Sequence, residues 1–581
     1  RPLFYFKNNG LQNQYVMYVK PFDNGKGLLP RQQQQDVEDS SQPKEDEVFL
    51  DPNKFSDDGT SALSSRAFSF DGEYFAYGVS DKGSDWQSIH IMHVANREKL
   101  PEILRYCKFT SIAFDSRNEG FFYTRFPAPK TDTGSLGSET DVNEHQCVYY
   151  HRLNTSQDDD ILIYKSEEHA NWMFGVETTR DGNYLIITVS ESTAPVSRFY
   201  VSRLNKATAN GGSNNDEKPV LFNMDDSTGL IQLDKIVDNF DAEYSYLAND
   251  GSLFYMQTNL HAKRSRIITI DIDSEDREPK ELVPESKDPL ETSCVVAQDY
   301  LVLRYVHDVH DVIRVYNLMG QYLHDIELPA IGSISSISAR REDSFMFYSF
   351  NSFTYPGTVY SYDLLLNKST VFYETKTSEL ILKPDAFETK QVWYNSKDGT
   401  RVPMFIVHKK GLDITSGNNP TWLYGYGGFS ISLQPYFSIL RVFFMQYFNG
   451  VYAVANLRGG AEFGEEWHEG GIKDKKQNVF DDFISAAEYL VDSKITRPEK
   501  IWINGGSNGG LLVAACTNQR PDLFGAAVAQ VGVLDMLRFH KFTIGKHWTS
   551  DYGCADNESD FEYLIKYSPL HNISSDKQYP S

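Results

Sequence analysis

A serine set among glycines is the first place where this sequence could do chemistry. Lys500-Ile501-Trp502-Ile503-Asn504-Gly505-Gly506-Ser507-Asn508-Gly509-Gly510-Leu511-Leu512-Val513-Ala514-Ala515-Cys516 runs an apolar strand into Gly-x-Ser-x-Gly and straight out into an apolar helical stretch. That is the strand–turn–helix context of a nucleophile elbow. The turn strains the backbone at the serine, and only residues without side chains fit against the neighbouring strand and helix. Ser507 would then sit at a helix N-terminus, where backbone N–H groups stabilise negative charge. A glycine-rich loop can also cradle phosphate, but no lysine stands at the P-loop position and the glycine spacing is wrong for a dinucleotide fingerprint.

A second constellation is Tyr424-Gly425-Tyr426-Gly427-Gly428-Phe429, after an earlier strand of the same region. A tyrosine hydroxyl can serve where a backbone N–H does not, so Tyr426 or Tyr424, paired with the Asn508 N–H, makes a candidate oxyanion hole. The alternative is an aromatic–glycine turn of the core. A third stretch, 456–470, carries Leu457-Arg458-Gly459-Gly460-Ala461-Glu462-Phe463-Gly464. Its charges could bind substrate or position the loop.

Around these motifs the chain changes style near residue 380. Beyond it, apolar strands are expected at 390–394, 404–408, 421–424, 451–456 and 500–503. An amphipathic helix over 477–493 repeats Phe480, Phe483, Ile484, Ala487 and Leu490 at helical spacing. Strands alternating with helices predict a mainly parallel sheet with its chemistry at the strand carboxyl ends. Before residue 380 the pattern is all-β: short aromatic and β-branched runs broken by turns. Asp71-Gly72, Asp181-Gly182 and Asp250-Gly251 each join two such runs, and weaker copies fall near 120, 299 and 343. A spacing of about 45–70 residues is that of four-stranded propeller blades; a pair of β-sandwiches is the competing arrangement. The expected domains are a β-propeller over 1–380 and a catalytic domain over 381–581. Three polar inserts, 31–47, 206–218 and 273–287, hold too little apolar content to order themselves.

Composition narrows the partners. The 581 residues carry 56 Lys+Arg against 80 Asp+Glu, a formal charge of −24. With no long basic cluster, a nucleic-acid or anionic-membrane surface is set aside. No apolar run reaches the ~18 residues of a membrane helix. Five scattered cysteines without a CxxC pair read as reduced thiols of a cytoplasmic protein. No metal site and no cofactor is expected, and a monomer is the default.

Taken together, the motifs resemble those of the prolyl oligopeptidase family. The likeness rests on Gly505-Gly506-Ser507-Asn508-Gly509-Gly510, on the 424–429 motif, on Gln530-Val531-Gly532-Val533-Leu534-Asp535-Met536, and on Thr543-Ile544-Gly545 with Trp548 and Asp551-Tyr552-Gly553-Cys554. It extends to Gly83-Ser84-Asp85-Trp86 and His307-Asp308-Val309. The resemblance implies a seven-bladed propeller capping an α/β-hydrolase domain, and a serine peptidase that cuts proline-containing oligopeptides on the carboxyl side of proline. It implies Ser507 as nucleophile, with the Tyr426 hydroxyl and Asn508 N–H as oxyanion hole. It further implies a proline pocket of Phe429, Ile431, Val533, Ile544, Trp548 and Tyr552, with Phe109 and Met173 serving outer subsites from the propeller. An acylaminoacyl or dipeptidyl peptidase of the same fold, or a non-catalytic propeller interaction protein, is the alternative.

Two departures stand out. Where the family offers an arginine to a substrate carbonyl, this chain has Ser190, and a nearby family cysteine is Thr193. In the resembled family the triad acid and base follow the Tyr567-Ser568-Pro569-Leu570-His571-Asn572 segment, so His540, His547 and His571 are not base candidates. The expectation is a fragment of a longer gene product: first blade truncated, α/β-hydrolase domain incomplete at both ends, catalytically inactive and destabilised by exposed apolar sheet faces.

Overall fold

Residues 2–21, 47–130, 136–137, 139–205, 221–375 and 384–581 are described by the computed structural model. The proposed domain boundary at 380/381, the insert 206–218 and nearly all of the insert 31–47 lie outside these residues.

The alternating runs before residue 375 form seven consecutive antiparallel sheets. The first has three strands, Pro2–Lys7, Val16–Pro21 and Glu47–Leu50. The other six have four strands each, in sequence order, over 61–108, 112–164, 173–237, 244–283, 290–326 and 333–374. This is a seven-bladed β-propeller. The anticipated turns near 72, 120, 182, 251, 299 and 343 are the links between first and second strands of blades two to seven. Gly72, Gly182 and Gly251 take φ of +78°, +69° and +61°, a region that costs an L side chain strain and glycine little.

Inward-facing residues of neighbouring blades share cores. Met17 and Phe49 of the first blade pack with Phe75, Tyr77 and Met92 of the second, and Phe122 and Val148 of the third with Leu185 and Tyr200 of the fourth. The ring is joined where the Lys20 ammonium lies 4.6 Å over the Phe372 ring of the seventh blade. One sequence expectation is corrected here: the insert 273–287 is not structureless. Its Lys280–Val283 segment pairs with Arg266–Asp271 as the outer strand of the fifth blade, because Val283 is buried against Ile267.

The remaining chain builds a six-stranded mixed sheet. Its strands are β1 (Phe387–Asn395), β2 (Arg401–Lys409), β3 (Thr421–Tyr424), β4 (Val451–Ala455), β5 (Ile501–Gly506) and β6 (Ala526–Gln530), in the order β1-β2-β4-β3-β5-β6. The pairs among β4, β3, β5 and β6 are parallel; β1 and β2 enter antiparallel. Helices α1 (Ile439–Phe448), α2 (Gln477–Asp492), α3 (Asn508–Gln519) and α4 (Glu558–Tyr567) flank it. The five apolar residues picked out on α2 are all buried against the sheet. Each such Phe or Leu contributes about 1.5–3 kcal/mol. On the other side of the sheet, Val309 and Phe353 of the propeller share a core with Phe405, Val407, Val442 and Tyr452. Exposed apolar residues remain on α1, among them Leu440, Phe443 and Phe448, and around β6, where Val531 is 87% exposed.

Candidate active site

The elbow is set by close approach of backbones. A Cβ on Gly505 would lie 2.3 Å from the Gly509 carbonyl oxygen, and one on Gly510 2.6 Å from the Gly532 Cα. Ser507 itself takes φ +56°, ψ −119° between β5 and α3. A non-glycine residue there stores about 1–3 kcal/mol. The surroundings hold it: its N–H donates to the Gln530 carbonyl at 2.9 Å, and its carbonyl accepts from the N–H groups of Gly510 and Leu511. The side chain is thereby left exposed at the start of α3.

The 424–429 loop comes off the end of β3, the strand beside β5, so the sheet register brings it to Ser507. Of the two candidate tyrosines, Tyr426 has its hydroxyl close enough to the Ser507 side chain for that group to act on its ionisation, whereas the Tyr424 ring lies 5.3 Å from the Arg441 guanidinium. Burial raises the Tyr426 phenol pKa, an effect the Ser507 side chain partly reverses. The phenol is thus a protonated donor at neutral pH. Asn508 is buried, and its backbone N–H, in the first turn of α3, has no intrahelical acceptor. Tyr426 and the Asn508 amide therefore flank the serine hydroxyl as two donors.

Behind these groups lies a buried polar network that sequence reasoning missed. The Asn508 side chain donates to the Tyr426 carbonyl at 2.6 Å and accepts from the Tyr552 hydroxyl and the Lys476 ammonium, both at 3.0 Å. Lys476 also donates to the Gly427 carbonyl at 2.8 Å. Asp551 accepts from the Phe429 N–H at 2.8 Å and pairs with His468 at 3.2 Å. Burial pulls the Lys476 pKa down to about 8, against the opposing charge of Asp551. Lys476 ends a Lys473-Asp474-Lys475-Lys476 run that reads as a solvated turn; three of these residues are exposed and the fourth is inside. Only the packing of α2 on the sheet tells them apart.

The 456–470 loop is held by its charges. Arg458 is buried and makes bidentate contacts with Asp482, with a further 2.6 Å bond to Asp398. Glu462 accepts from the Leu433 N–H at 3.0 Å, and burial raises its pKa to about 7.

Four of the six residues expected in a proline pocket come together. The Phe429 ring stands edge-on to Tyr552 at 5.3 Å, and Val533 and Trp548 pack on the same cluster. Phe539, not anticipated from sequence, links them, contacting Tyr552 at 5.3 Å and stacking on Trp548 at 6.3 Å. Ile544 is buried at the start of the 545–548 helical turn, and Ile431 is exposed on the loop after Phe429. Phe109 is exposed at the end of the second blade with φ +51°. Met173 opens the fourth blade directly opposite Ser190. The propeller reaches this region through Asn143, whose N–H donates to the Thr543 carbonyl, and through Lys546, paired with Glu144 at 3.0 Å. Thr193 bonds the His547 carbonyl and, at 2.9 Å, the Ser550 hydroxyl. Among the described residues no hydrogen bond joins a histidine to Ser507: His540 pairs with Asp556 and His571 with Ser568.

Comparison with known proteins decides the family. Residues 1–375 match the model of the prolyl oligopeptidase N-terminal β-propeller domain, and residues 435–581 match that of the prolyl oligopeptidase family. The chain belongs to the prolyl oligopeptidase family of serine peptidases. It is 42% identical to prolyl oligopeptidase A of Galerina marginata over 92% of this chain and 71% of that protein. It is 38% identical to a prolyl endopeptidase of Dictyostelium discoideum over the whole chain and 78% of the relative. A solved structure of Galerina marginata prolyl oligopeptidase B, bound to a 25mer macrocyclization substrate, superposes with a TM-score of 0.86 at 35% identity. That match covers all of this chain and 77% of the other. All five cysteines are free, and no helix among the described residues is long and apolar enough to cross a membrane.

Proposed function

We propose that this prolyl oligopeptidase family member is an endopeptidase for short peptides, cutting on the carboxyl side of proline. The observation that carries the reading is Ser507, exposed on its strained turn with the Tyr426 hydroxyl near it and the Asn508 amide adjacent. In this reading Ser507 Oγ attacks the carbonyl carbon that follows the proline ring, and its proton passes to a histidine. The carbonyl oxygen becomes an anion held by Tyr426 and the Asn508 N–H. The Phe429–Tyr552–Phe539–Trp548 aromatic group supports the specificity, since an apolar ring wall suits a pyrrolidine that lacks an N–H donor.

A histidine acting as base and an aspartate that orients it would complete the catalytic group around Ser507. Relatives are longer than this chain, and solved forms of Galerina marginata prolyl oligopeptidase B carry alanine in place of a serine, an aspartate or a histidine. Peptides approach from the propeller side, where Phe109 and Met173 are placed for outer subsites, and Ser190 in place of an arginine weakens binding there. A monomeric, cytoplasmic enzyme completes the proposal, with free thiols as its support.

The test is a fluorogenic peptide panel with an active form of the enzyme. Cleavage after proline should exceed cleavage after alanine and vanish in Ser507→Ala. Faster turnover after alanine would favour an acylaminoacyl or dipeptidyl peptidase. Failure of a fluorophosphonate probe to label Ser507 would point to a non-catalytic propeller protein.

A further inference from the structure

The aromatic wall of the pocket is backed by a group of side chains that the peptidase chemistry does not use. His540 lies in the Phe539–Lys541 helical turn; Cys554 and Asp556 lie in the link between the Thr549–Tyr552 helix and α4. One ligand atom from each of the three falls within 4.8 Å of the others. His540 Nε2 is 3.1 Å from Asp556 Oδ2. The other ring nitrogen, Nδ1, is buried without a hydrogen-bond partner, on a side chain only 7% exposed. A buried imidazole with one unmet nitrogen costs about 1–3 kcal/mol unless something meets it.

The backbone around the thiol is firmly placed. Gly553 takes φ +85°, and a Cβ there would meet the Tyr563 hydroxyl. The Cys554 N–H donates to Asp560 at 2.9 Å, and its carbonyl accepts from the Asn557 N–H at 3.0 Å. The Cys554 thiol is free and half-buried beside the imidazole and carboxylate. A cation already attends the carboxylate: the Lys541 ammonium lies 3.0 Å from Asp556 Oδ1 on an exposed side chain that can swing to solvent.

A thiolate, an imidazole and a carboxylate form a mixed donor set that suits zinc, whereas magnesium and calcium take oxygen ligands. We propose that His540, Cys554 and Asp556 bind a zinc ion, with water in the fourth position. Binding releases the Cys554 thiol proton to solvent, displaces Lys541, still protonated, from Asp556, and breaks the His540–Asp556 hydrogen bond, the imidazole binding through one nitrogen and keeping its proton on the other. Phe539 precedes His540 in the chain and touches both Tyr552 and Trp548, so occupancy stiffens the wall of the pocket.

The site is tested without any catalytic readout, by titrating the protein with cobalt(II) and competing with zinc. One equivalent of cobalt should produce thiolate-to-metal absorption in the near ultraviolet, which zinc abolishes. Cys554→Ser should lose that band, and His540→Ala and Asp556→Asn should weaken zinc binding at least about tenfold. Zinc should raise the melting temperature of the unaltered protein and not that of Cys554→Ser, whose metal-free melting controls for folding. A band that persists in Cys554→Ser, zinc affinity unchanged in the other two variants, or no stoichiometric binding would each overturn the site.

Discussion

Lys476→Met probes whether the buried cation holds the two halves of the proposed oxyanion site together. Removing the ammonium orphans the Gly427 carbonyl, while Asn508 Oδ1 keeps the Tyr552 hydroxyl. One buried acceptor left unmet costs about 1–3 kcal/mol. Against that stands the penalty of burying the charge. The folded pKa of about 8 lies below the ordinary lysine value of 10.5, so between these values the unfolded chain binds more protons than the native one. Stability must therefore rise with pH across that window. The depressed pKa corresponds to about 3 kcal/mol of destabilisation at low pH, of which about 2 kcal/mol is relieved between pH 7 and pH 9.5. Urea unfolding of the unaltered protein and of Lys476→Met over this range should give a difference in stability that widens by about that amount, in favour of the unaltered protein. In an active form of the enzyme, kcat should fall about 10- to 100-fold with KM little changed, less than the 10²–10³ expected for deleting an oxyanion donor. Parallel stability curves from pH 7 to 9.5 would refute the buried-cation argument, and an unchanged kcat would refute the positioning argument.

The elbow glycines should differ sharply. Gly505→Ala, meeting the Gly509 carbonyl at 2.3 Å, should destabilise by about 1–3 kcal/mol or more, while Gly506→Ala, whose nearest atom is 3.9 Å away, should melt close to the unaltered protein. Glu462→Gln should stabilise at neutral pH by about 1–3 kcal/mol. Its folded pKa of about 7 exceeds the ordinary 4.5, so the native stability it contributes is complete below 4.5 and lost as pH rises to 7. A denaturation series from pH 4.5 to 7.5 checks this, the two proteins converging at the acid end. Arg458→Met leaves Asp482 buried without its partner and should cost about 3–5 kcal/mol, seen as a fall in the urea midpoint. Ser190→Arg, opposite Met173, should lower KM for peptides extended on the amino side of proline and leave short substrates unaffected.

Local pattern carried far in this chain. The Asp-Gly turns announced the blades because a two-strand hairpin needs positive φ at its glycine, a constraint visible without any partner strand. The elbow was legible for the same reason: strain at Ser507 and crowding at Gly505 are properties of a few adjacent residues. The 273–287 insert was misread because its strand is short, with only Leu282 and Val283 apolar, and its order comes from pairing with Arg266–Asp271. The aromatic link Phe539, the choice of Tyr426 over Tyr424 beside Ser507, and the Lys476–Asp551–His468 network all depend on contacts between segments far apart in sequence.

By itself, then, the sequence determined the period of the propeller, the change to alternating strands and helices near residue 380, and the position of the strained serine turn. The last two are written in patterns of about twenty residues or fewer, and the first in Asp-Gly hairpins that recur along the chain. Tertiary structure alone decided which charges are buried. Lys473, Lys475 and Lys476 are indistinguishable as side chains, and only the docking of α2 against β3 and α3 encloses the last of them. Desolvation depends on what the rest of the chain places around a group.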